Sequence, residues 1–390
     1  MMRDPEERLA ELAYAARAGR NALRCRIEWQ GVGYPTYTAG QRRGKIRFGP
    51  FGRDLLVSAL LLGEPEFSRD ALRFVAAAMG RRTDASSGEE PGRGIDELRD
   101  VVLRGRSTRC NALEVSPLFV IVADLYAEMV RDEATLLEIQ GALRAAFNFV
   151  TRHMMRNGLF VEDAALCGGT RYALRSMYWK DSFLPVRDDP VYPVSYTLAH
   201  VQGIAALRSA CSLSWRLGES WDLGIDALTT EAIEKLASQL WDPDAGRPWI
   251  AVDQRGPTGG ASLDALHMLV FLSAGDLPAS CVKRIEQQAE DRATPYGFRT
   301  YAPGQLHYDN YTYHYSSVWP FEQVIAQGAD RHGLRLLLEV SFRIVDALEE
   351  VGFVELSCWN AQLGLEGPGA GADPGYDLEL WTTCVPSALQ

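Results

Sequence analysis

The sequence predicts an all-α fold, and three observations lead to that prediction. Most apolar residues recur at the 3.6-residue spacing of a helix, alternating apolar and polar runs are scarce, and long loops rich in glycine, proline and charge return at intervals. Sharing 390 residues among six helical hairpins gives 65 residues for each hairpin, close to the interval between those loops. We therefore expect an (α/α)6 barrel, a six-hairpin toroid whose long loops form the mouth of an active site.

The first helix begins at a capping pattern. Asp4 is an N-cap candidate, Pro5 suits the first helical position, and Glu6 and Glu7 place acids in the first turn. Eight further stretches have helical periodicity: residues 53–62, 68–79, 116–130, 133–153, 195–217, 230–240, 262–273 and 333–350. In the fourth of these, five apolar residues form one stripe: Leu136, Ile139, Leu143, Phe147 and Val150.

Six long segments between the helices are predicted loops, and no linker of biased composition divides the chain. The loops cover residues 31–52, 83–110, 157–194, 242–261, 294–320 and 355–384. Loops of this length in compact proteins are usually functional. We expect a single catalytic domain over residues 1–390.

Composition excludes several classes of protein. The 51 acids outnumber the 40 Lys and Arg residues and give a net charge of −11, which argues against binding to nucleic acid or to an anionic membrane. Seven cysteines are scattered without a C-x-x-C pair, so the sequence predicts a reducing, cytoplasmic location and no zinc framework. Asp264 and His267 could form a metal pair, but no third ligand is evident, so we expect no metal and no cofactor.

The predicted loops place acids beside aromatic rings, as in residues 178–182 (YWKDS) and 318–322 (VWPFE). Glycoside hydrolysis requires such surroundings. One carboxylic acid, its pKa raised by apolar neighbours, protonates the leaving oxygen while an ionised carboxylate activates water.

Seven segments, in order along the chain, resemble the amylo-α-1,6-glucosidase and glycogen-debranching enzyme C-terminal family. They are residues 51–54 (FGRD), 90–99 (EPGRGIDELR), 113–119 (LEVSPLF), 179–182 (WKDS), 201–203 (VQG), 299–300 (RT) and 313–320 (YHYSSVWP). The resemblance implies an (α/α)6 barrel and inverting hydrolysis of an α-glycosidic bond. No segment reads as a separate glycan-binding module, so we expect a small glycoside or oligosaccharide as substrate.

The same resemblance implies roles for individual residues. Asp181 corresponds to the general acid and Glu355 to the general base, with Glu322 as an alternative base in an equally aromatic loop. The remaining candidates bind the sugar: Arg53, Asp54, Arg99, Glu114, Tyr178, Trp179, Lys180, His200, Gln202, His314 and Trp319. For inversion, the acid and the base should lie roughly 6.5–9.5 Å apart.

Three positions depart from the family pattern and leave other functions open. Glu114 and Glu322 replace aspartates, and His200 replaces an acid. A sugar-binding barrel that has lost catalysis would account for these changes. A sugar epimerase or an unsaturated-uronide hydrolase on the same fold is a third possibility, and an epimerase would need His200 and His314 in one pocket.

Overall fold

The computed structural model of the chain describes residues 4–46, 49–99, 101–130, 132–154, 157–180, 190–221, 224–302, 314, 317–332, 334, 336–355 and 376–390. The chain divides into two compact units. The first unit contains Met1–Cys25, Tyr37–Gly49 and Gly260–Gln390, and the second contains Arg26–Thr36 and Pro50–Gly259. The expectation of a single domain stays a prediction.

Twelve α-helices are present in the described part of the chain. They are α1 (Pro5–Leu23), α2 (Gly52–Leu62), α3 (Pro65–Ala78), α4 (Val115–Met129), α5 (Glu133–Met154), α6 (Thr197–Arg216), α7 (Ile225–Gln239), α8 (Asp264–Phe271), α9 (Ala279–Ala289), α10 (Pro320–Gly328), α11 (Leu336–Val351) and α12 (Val385–Ala388). Short 3-10 helices cover Ala164–Cys167, Glu290–Arg292, Ala329–His332 and Thr382–Cys384.

All nine predicted helices are confirmed, and each predicted end lies within three residues of the observed one, except that α7 begins five residues earlier than predicted. At the start of α1, the Asp4 carboxylate accepts a hydrogen bond from the Glu6 N–H at 3.0 Å, as the capping pattern predicts. The apolar stripe of α5 is buried along its whole length. Helices α9, α10 and α12 lie outside the predicted helical stretches, and α12, with four residues, is too short to show a helical period.

Fourteen short strands lie among the helices in the described ranges. They are β1 (Arg24–Trp29), β2 (Val32–Tyr37), β3 (Gly40–Arg42), β4 (Lys45–Ile46), β5 (Val102–Leu103), β6 (Arg106–Ser107), β7 (Ser195–Tyr196), β8 (Trp241–Asp242), β9 (Arg247–Pro248), β10 (Ala251–Asp253), β11 (Gly256–Thr258), β12 (Ala293–Thr294), β13 (Gly297–Phe298) and β14 (Leu378–Glu379). The sheets have two or three strands; the larger ones have the orders β11-β10-β7 and β14-β3-β4. Most of these strands lie within predicted loops.

Helix α4 is the centre of the second unit. It is buried continuously from Val115 to Ala123, and a helix that is apolar on all sides must be surrounded. Helices α2, α3, α5 and α6 pack against it. In the first unit, α10 packs against α8 and α11. Of the helices that the structure describes, none has the length and apolar character needed to cross a membrane.

Candidate active site

The start of α2 holds a buried cluster of charged side chains in the second unit. The Arg53 Nε donates to Glu114 Oε1 at 2.5 Å, and Arg53 Nη2 lies 3.4 Å from Asp96 Oδ1. All three side chains are buried. A guanidinium between two buried carboxylates is held in one orientation, so the cluster presents a rigid polar surface.

Close backbone contact at Gly52 brings this cluster together. The Gly52 N–H donates to the Asp96 carbonyl at 2.9 Å, and a Cβ at Gly52 would lie 2.2 Å from the Ile95 carbonyl oxygen. Only glycine allows the first turn of α2 to approach the residue 95–96 segment so closely. Arg53, the next residue, is thereby held against Asp96.

Asp54 lies beside this cluster in the first turn of α2 and is 7 % exposed. Burial raises the pKa of Asp54 to about 7, although the positive charge of Arg53 acts in the opposite direction. A carboxyl with this pKa takes up or releases a proton near neutral pH and, when protonated, donates a hydrogen bond.

We expect the Asp54→Asn variant to lose part of the pH dependence of stability. The pKa of Asp54 is higher in the folded protein than the ordinary aspartate value of 3.8, so the folded state binds more protons between the two values. Stability of the wild type should therefore fall as pH rises from about 4 to 7, with a slope of up to about 1.4 kcal/mol per pH unit from this group. Urea unfolding at several pH values measures the slope.

Asp226→Asn is the matched control, because Asp226 is an exposed acid in the first turn of α7. That variant should keep the wild-type slope. If stability of the Asp54→Asn variant depends on pH as in the wild type, the raised pKa of Asp54 is contradicted.

Glu114 immediately precedes α4 and is 3 % exposed. Burial raises the pKa of Glu114 as well, while Arg53 opposes the shift. One carboxylate oxygen accepts from Arg53, but among the described residues none donates a hydrogen bond to the buried Oε2. An acceptor of this kind suits a ligand hydroxyl.

The segment before Asp181 lies next to Glu114. The Leu113 N–H donates to the Met177 carbonyl at 2.8 Å, which ties the approach to α4 to residues 177–180. The Tyr178 ring stacks on Tyr196 with centroids 4.9 Å apart. These contacts place residues 177–178 beside the Arg53 cluster.

Lys180 and Trp179 end the described part of this segment. Lys180 is fully buried, and its Nζ lies 4.5 Å from the centroid of the Trp179 ring, a cation–π contact. Asp181, the predicted acid, lies outside the described residues. Lys180, the residue before it, is held against the Trp179 ring.

His200 has both ring nitrogens engaged with the backbone. Nδ1 accepts from the Phe160 N–H at 3.0 Å, and Nε2 lies 2.9 Å from the Ala232 carbonyl. Burial lowers the pKa of His200 to about 4, so the ring is neutral. These contacts give His200 a structural role that joins α6 to α7 and to the segment at Phe160, and they leave neither ring nitrogen for a sugar hydroxyl.

Gln202 lies close to His200 along α6 and is 6 % exposed. In the described residues, no donor reaches its buried Oε1. Gln202 therefore offers a second buried acceptor in the same unit as Glu114. Arg99, in contrast, is exposed to solvent.

Asp96 lies beside Arg53, whereas Arg99 is the residue of this segment that the sequence predicts as a sugar ligand. The sequence carried a signal for it, since Asp96 opens the DELR segment on which the family resemblance partly rests. Within that segment, Asp96 belongs to the buried cluster, whereas Arg99 is exposed to solvent.

In the first unit, aromatic rings collect around Trp319. His314 stacks on Trp319 with centroids 5.1 Å apart, and Phe321 stacks on Trp381 at 4.1 Å. Trp319 contacts both Phe321 and Trp381 edge to face, and its Nε1 donates to Ser317 Oγ at 3.1 Å. Trp319 is only 2 % exposed, so in this structure it belongs to a buried aromatic group.

The two candidate bases also lie in the first unit, in different surroundings. Glu322 is fully buried; its Oε2 accepts from Thr300 Oγ1 at 2.7 Å. Glu355 is 7 % exposed, and its Oε2 accepts from the Tyr376 N–H at 3.0 Å. A backbone donor at one carboxylate oxygen favours the ionised form that a general base requires.

Comparisons with solved structures identify the fold class. A GH63 mannosylglycerate hydrolase from Thermus thermophilus, in complex with glucose, matches with a TM-score of 0.67 and 14% identity over 97% of this chain and 99% of that chain. A rhamnosidase from Klebsiella oxytoca with rhamnose bound matches with a TM-score of 0.63 and 15% identity, over 100% of this chain and 64% of that chain. The GH78 rhamnosidase of Bacillus sp. GL1 gives a TM-score of 0.59 at 14% identity, over 98% of this chain and 34% of that chain.

The likeness confirms the predicted (α/α)6 fold class, which these glycoside hydrolases share. A specific relation to the glycogen-debranching family stays a prediction. No family model matches the sequence, and no curated protein does.

Proposed function

We propose that this chain is a glycoside hydrolase that cleaves an α-glycosidic bond of a small glycoside with inversion. The observation that carries the proposal is the buried Arg53–Asp54–Glu114 cluster beside the segment that leads to Asp181. The glycoside hydrolase fold class supports the same proposal. We retain the cytoplasmic location that the scattered cysteines favour as part of the proposal.

Asp181 is the proposed general acid. A general acid must hold its proton at neutral pH, which apolar and aromatic neighbours favour by disfavouring the charged carboxylate. Trp179 is 8 % exposed and Tyr178 is 1 % exposed, so the residues that precede position 181 are buried away from water.

Glu355 is the proposed general base, and two observations favour it over Glu322. The Glu355 carboxylate keeps 7 % of its surface exposed, and its Oε2 receives a backbone hydrogen bond, which supports the charged form of a carboxylate that acts as a base. Glu322 is completely buried and bonded to Thr300, which is a poor position from which to activate a water molecule. We therefore place Glu322 outside the catalytic pair.

Sugar hydroxyls are the proposed ligands of the Arg53 cluster. Asp54 offers a donor or an acceptor according to its protonation, and Glu114 Oε2 and Gln202 Oε1 are buried acceptors. Hydroxyl groups of a monosaccharide supply the donors that these oxygens lack. The similar structures carry glucose, D-glycerate or rhamnose, and we propose a hexose or deoxyhexose unit for this chain also.

A panel of α-linked disaccharides and small α-glycosides, including glycosyl glycerates and aryl glycosides, tests the proposal. We expect release of free sugar from at least one member, and proton NMR at early times should show the β-anomer appearing before mutarotation. Release of the α-anomer first would contradict inversion. Binding without release from any member would instead favour the sugar-binding barrel.

A further inference from the structure

A buried group of unlike metal-binding side chains lies at the starts of α8 and α10 in the first unit. Asp264, His267 and Glu322 each offer one ligand atom, and the three atoms lie within 4.8 Å of one another. The three side chains are 6 %, 2 % and 0 % exposed. Asp264 and His267 are three residues apart on one face of α8, and Glu322 supplies the third donor that the sequence did not reveal.

The distance between His267 Nε2 and Glu322 Oε1 suits a shared metal ion better than a direct bond. The two atoms are 3.8 Å apart, which is longer than a hydrogen bond. Two ligands of a tetrahedral zinc ion, with bonds of roughly 2.0–2.2 Å, lie about 3.3–3.5 Å apart. A shift of a few tenths of an ångström would bring the pair to that spacing.

The second carboxylate oxygen of Glu322 is fixed by the surrounding structure. Thr300 Oγ1 donates to Oε2 at 2.7 Å, which orients Oε1 toward His267. A hydrogen bond to the oxygen that is not the ligand atom is the usual support for a metal-binding carboxylate. Gln323, the next residue, bonds both the N–H and the carbonyl of Phe298 and so holds the first turn of α10.

Backbone hydrogen bonds tie the two helix starts to the same segment. The Leu263 N–H donates to the Thr300 carbonyl at 2.9 Å, and the Ala302 N–H donates to the Ala261 carbonyl at 3.0 Å. The Thr300 N–H donates to the Ser317 carbonyl at 3.0 Å, on the approach to α10. The three candidate ligands are thus carried by one connected backbone framework, and a site held in this way loses little entropy on binding.

We propose that Asp264, His267 and Glu322 bind one divalent transition-metal ion, with zinc as the best match. An imidazole nitrogen with two carboxylates selects zinc, manganese or iron(II) over calcium and magnesium, which prefer sites made of oxygen atoms alone. The two carboxylate charges balance the charge of the ion in a buried position. The ion fastens the first turns of α8 and α10 to each other.

Zinc binding to the untagged full-length chain tests the proposal. After treatment with EDTA and desalting, we expect calorimetric titration with ZnCl2 to show one ion per chain with micromolar or tighter affinity, and native mass spectrometry to show the same stoichiometry. Zinc should also raise the melting temperature, because a ligand of the folded state stabilises it. The same titrations with calcium and magnesium should show at least tenfold weaker binding.

The His267→Gln and Asp264→Asn variants should each weaken zinc binding at least tenfold and lose the shift in melting temperature. His332→Gln is the matched control, since His332 is half-buried and its Nε2 lies 2.8 Å from the Leu269 carbonyl of α8. This control should bind zinc as the wild type does. Circular dichroism of the metal-free variants checks that they fold.

Three results would overturn the proposal: no zinc bound by the wild type at 100 μM free metal (about 10⁻⁴ M, the weak end of metal sites in proteins), unchanged binding in folded His267→Gln, or tighter binding of calcium than of zinc. The readout is metal binding and not hydrolysis. The outcome is therefore independent of the proposed glycosidase activity.

Discussion

Replacing Asp181 by asparagine is expected to lower kcat by about 10²- to 10⁴-fold on a glycoside with an alcohol leaving group, the contribution of general acid catalysis. Asparagine keeps the shape of the side chain but has no proton of suitable acidity to give to the leaving oxygen. Initial rates on the substrate found in the panel measure the effect, and circular dichroism with thermal unfolding shows that the variant is folded.

A comparison of two leaving groups distinguishes a general acid from a residue that only binds substrate. A dinitrophenolate leaves without protonation, so Asp181→Asn should lose far less activity on the matching dinitrophenyl glycoside. Glu355→Gln should lose activity on both substrates, because water must be activated whatever group departs. Equal losses on the two substrates in Asp181→Asn would remove Asp181 from the role of acid.

Asp244→Asn is the control for replacing an aspartate by asparagine away from the proposed sites. Asp244 is exposed in the turn after β8 and belongs to no proposed site. Its variant should keep the wild-type kcat on both substrates. A near-normal kcat in Asp181→Asn on the alcohol glycoside would contradict the assignment directly.

Local sequence patterns were sufficient to predict most of the helices. Long helices such as α5 repeat their apolar stripe over several turns, and the burial of that stripe follows from the pattern alone. Helix α12 has only four residues, about one turn, which is too short to show a period. Strands of two residues, such as β5, have no readable alternation at all.

The candidate site was predictable where a motif places residues next to one another in the chain. Arg53 and Asp54 are adjacent, and both lie in the predicted cluster with Glu114. The partners that come from distant segments were harder to predict. Asp96 reaches Arg53 because the close approach at Gly52 holds the start of α2 against the residue 95–96 segment.

His200 shows that a residue beside a motif can have a role that the motif does not predict. A histidine near a sugar-binding motif suggests contact with substrate, but its two nitrogens are used by backbone groups 40 and 32 residues away in sequence. No local pattern contains that information. The same reason explains why Asp264 and His267 lacked a third ligand until the fold placed Glu322 beside them.

Arg93 illustrates a motif residue whose role is structural, and its replacement by methionine should cause the largest loss of stability. Arg93 and Glu162 are fully buried and form two hydrogen bonds, at 2.7 and 3.0 Å. Arg93 also donates to Glu90 at 3.1 Å and to the Cys110 carbonyl at 2.6 Å. Removing one member of a buried ion pair leaves the other uncompensated, at a cost of about 3–5 kcal/mol.

Urea unfolding of the Arg93→Met variant at pH 7 measures that loss. The double variant Arg93→Met/Glu162→Gln should be more stable than the single one, because it no longer leaves a charged carboxylate at position 162 in the interior. Arg73→Met is the control; the side chains of the Arg73–Glu138 salt bridge are 35 % and 48 % exposed, and the pair should contribute less than about 1 kcal/mol. If the loss of unfolding free energy in the double variant equals the sum of the losses in the two single variants, the ion pair is not coupled.

The same network has a defined dependence on pH. Burial raises the pKa of Glu90, but the hydrogen bond with His153 and the charges of His153, Arg93 and Arg152 outweigh burial and lower it to about 2. The stabilisation from Glu90 is therefore complete above its ordinary pKa of 4.5 and is lost as pH falls from there toward 2. Arg93→Met should lose stability mainly at neutral pH and approach the wild type in acid.

We infer that the network also affects the proposed activity, because it holds the chain that leads to Asp181, the proposed acid. Glu162 pairs through its backbone with Val194, and Tyr172 donates to the Glu162 carboxylate. Residues 162–172 therefore have fixed positions before the chain reaches residues 177–180. If these contacts orient Asp181, the folded Arg93→Met variant should have a lower kcat than the wild type, and the added Glu162→Gln change should partly restore it. A wild-type kcat in the folded Arg93→Met variant would show that the network affects stability alone.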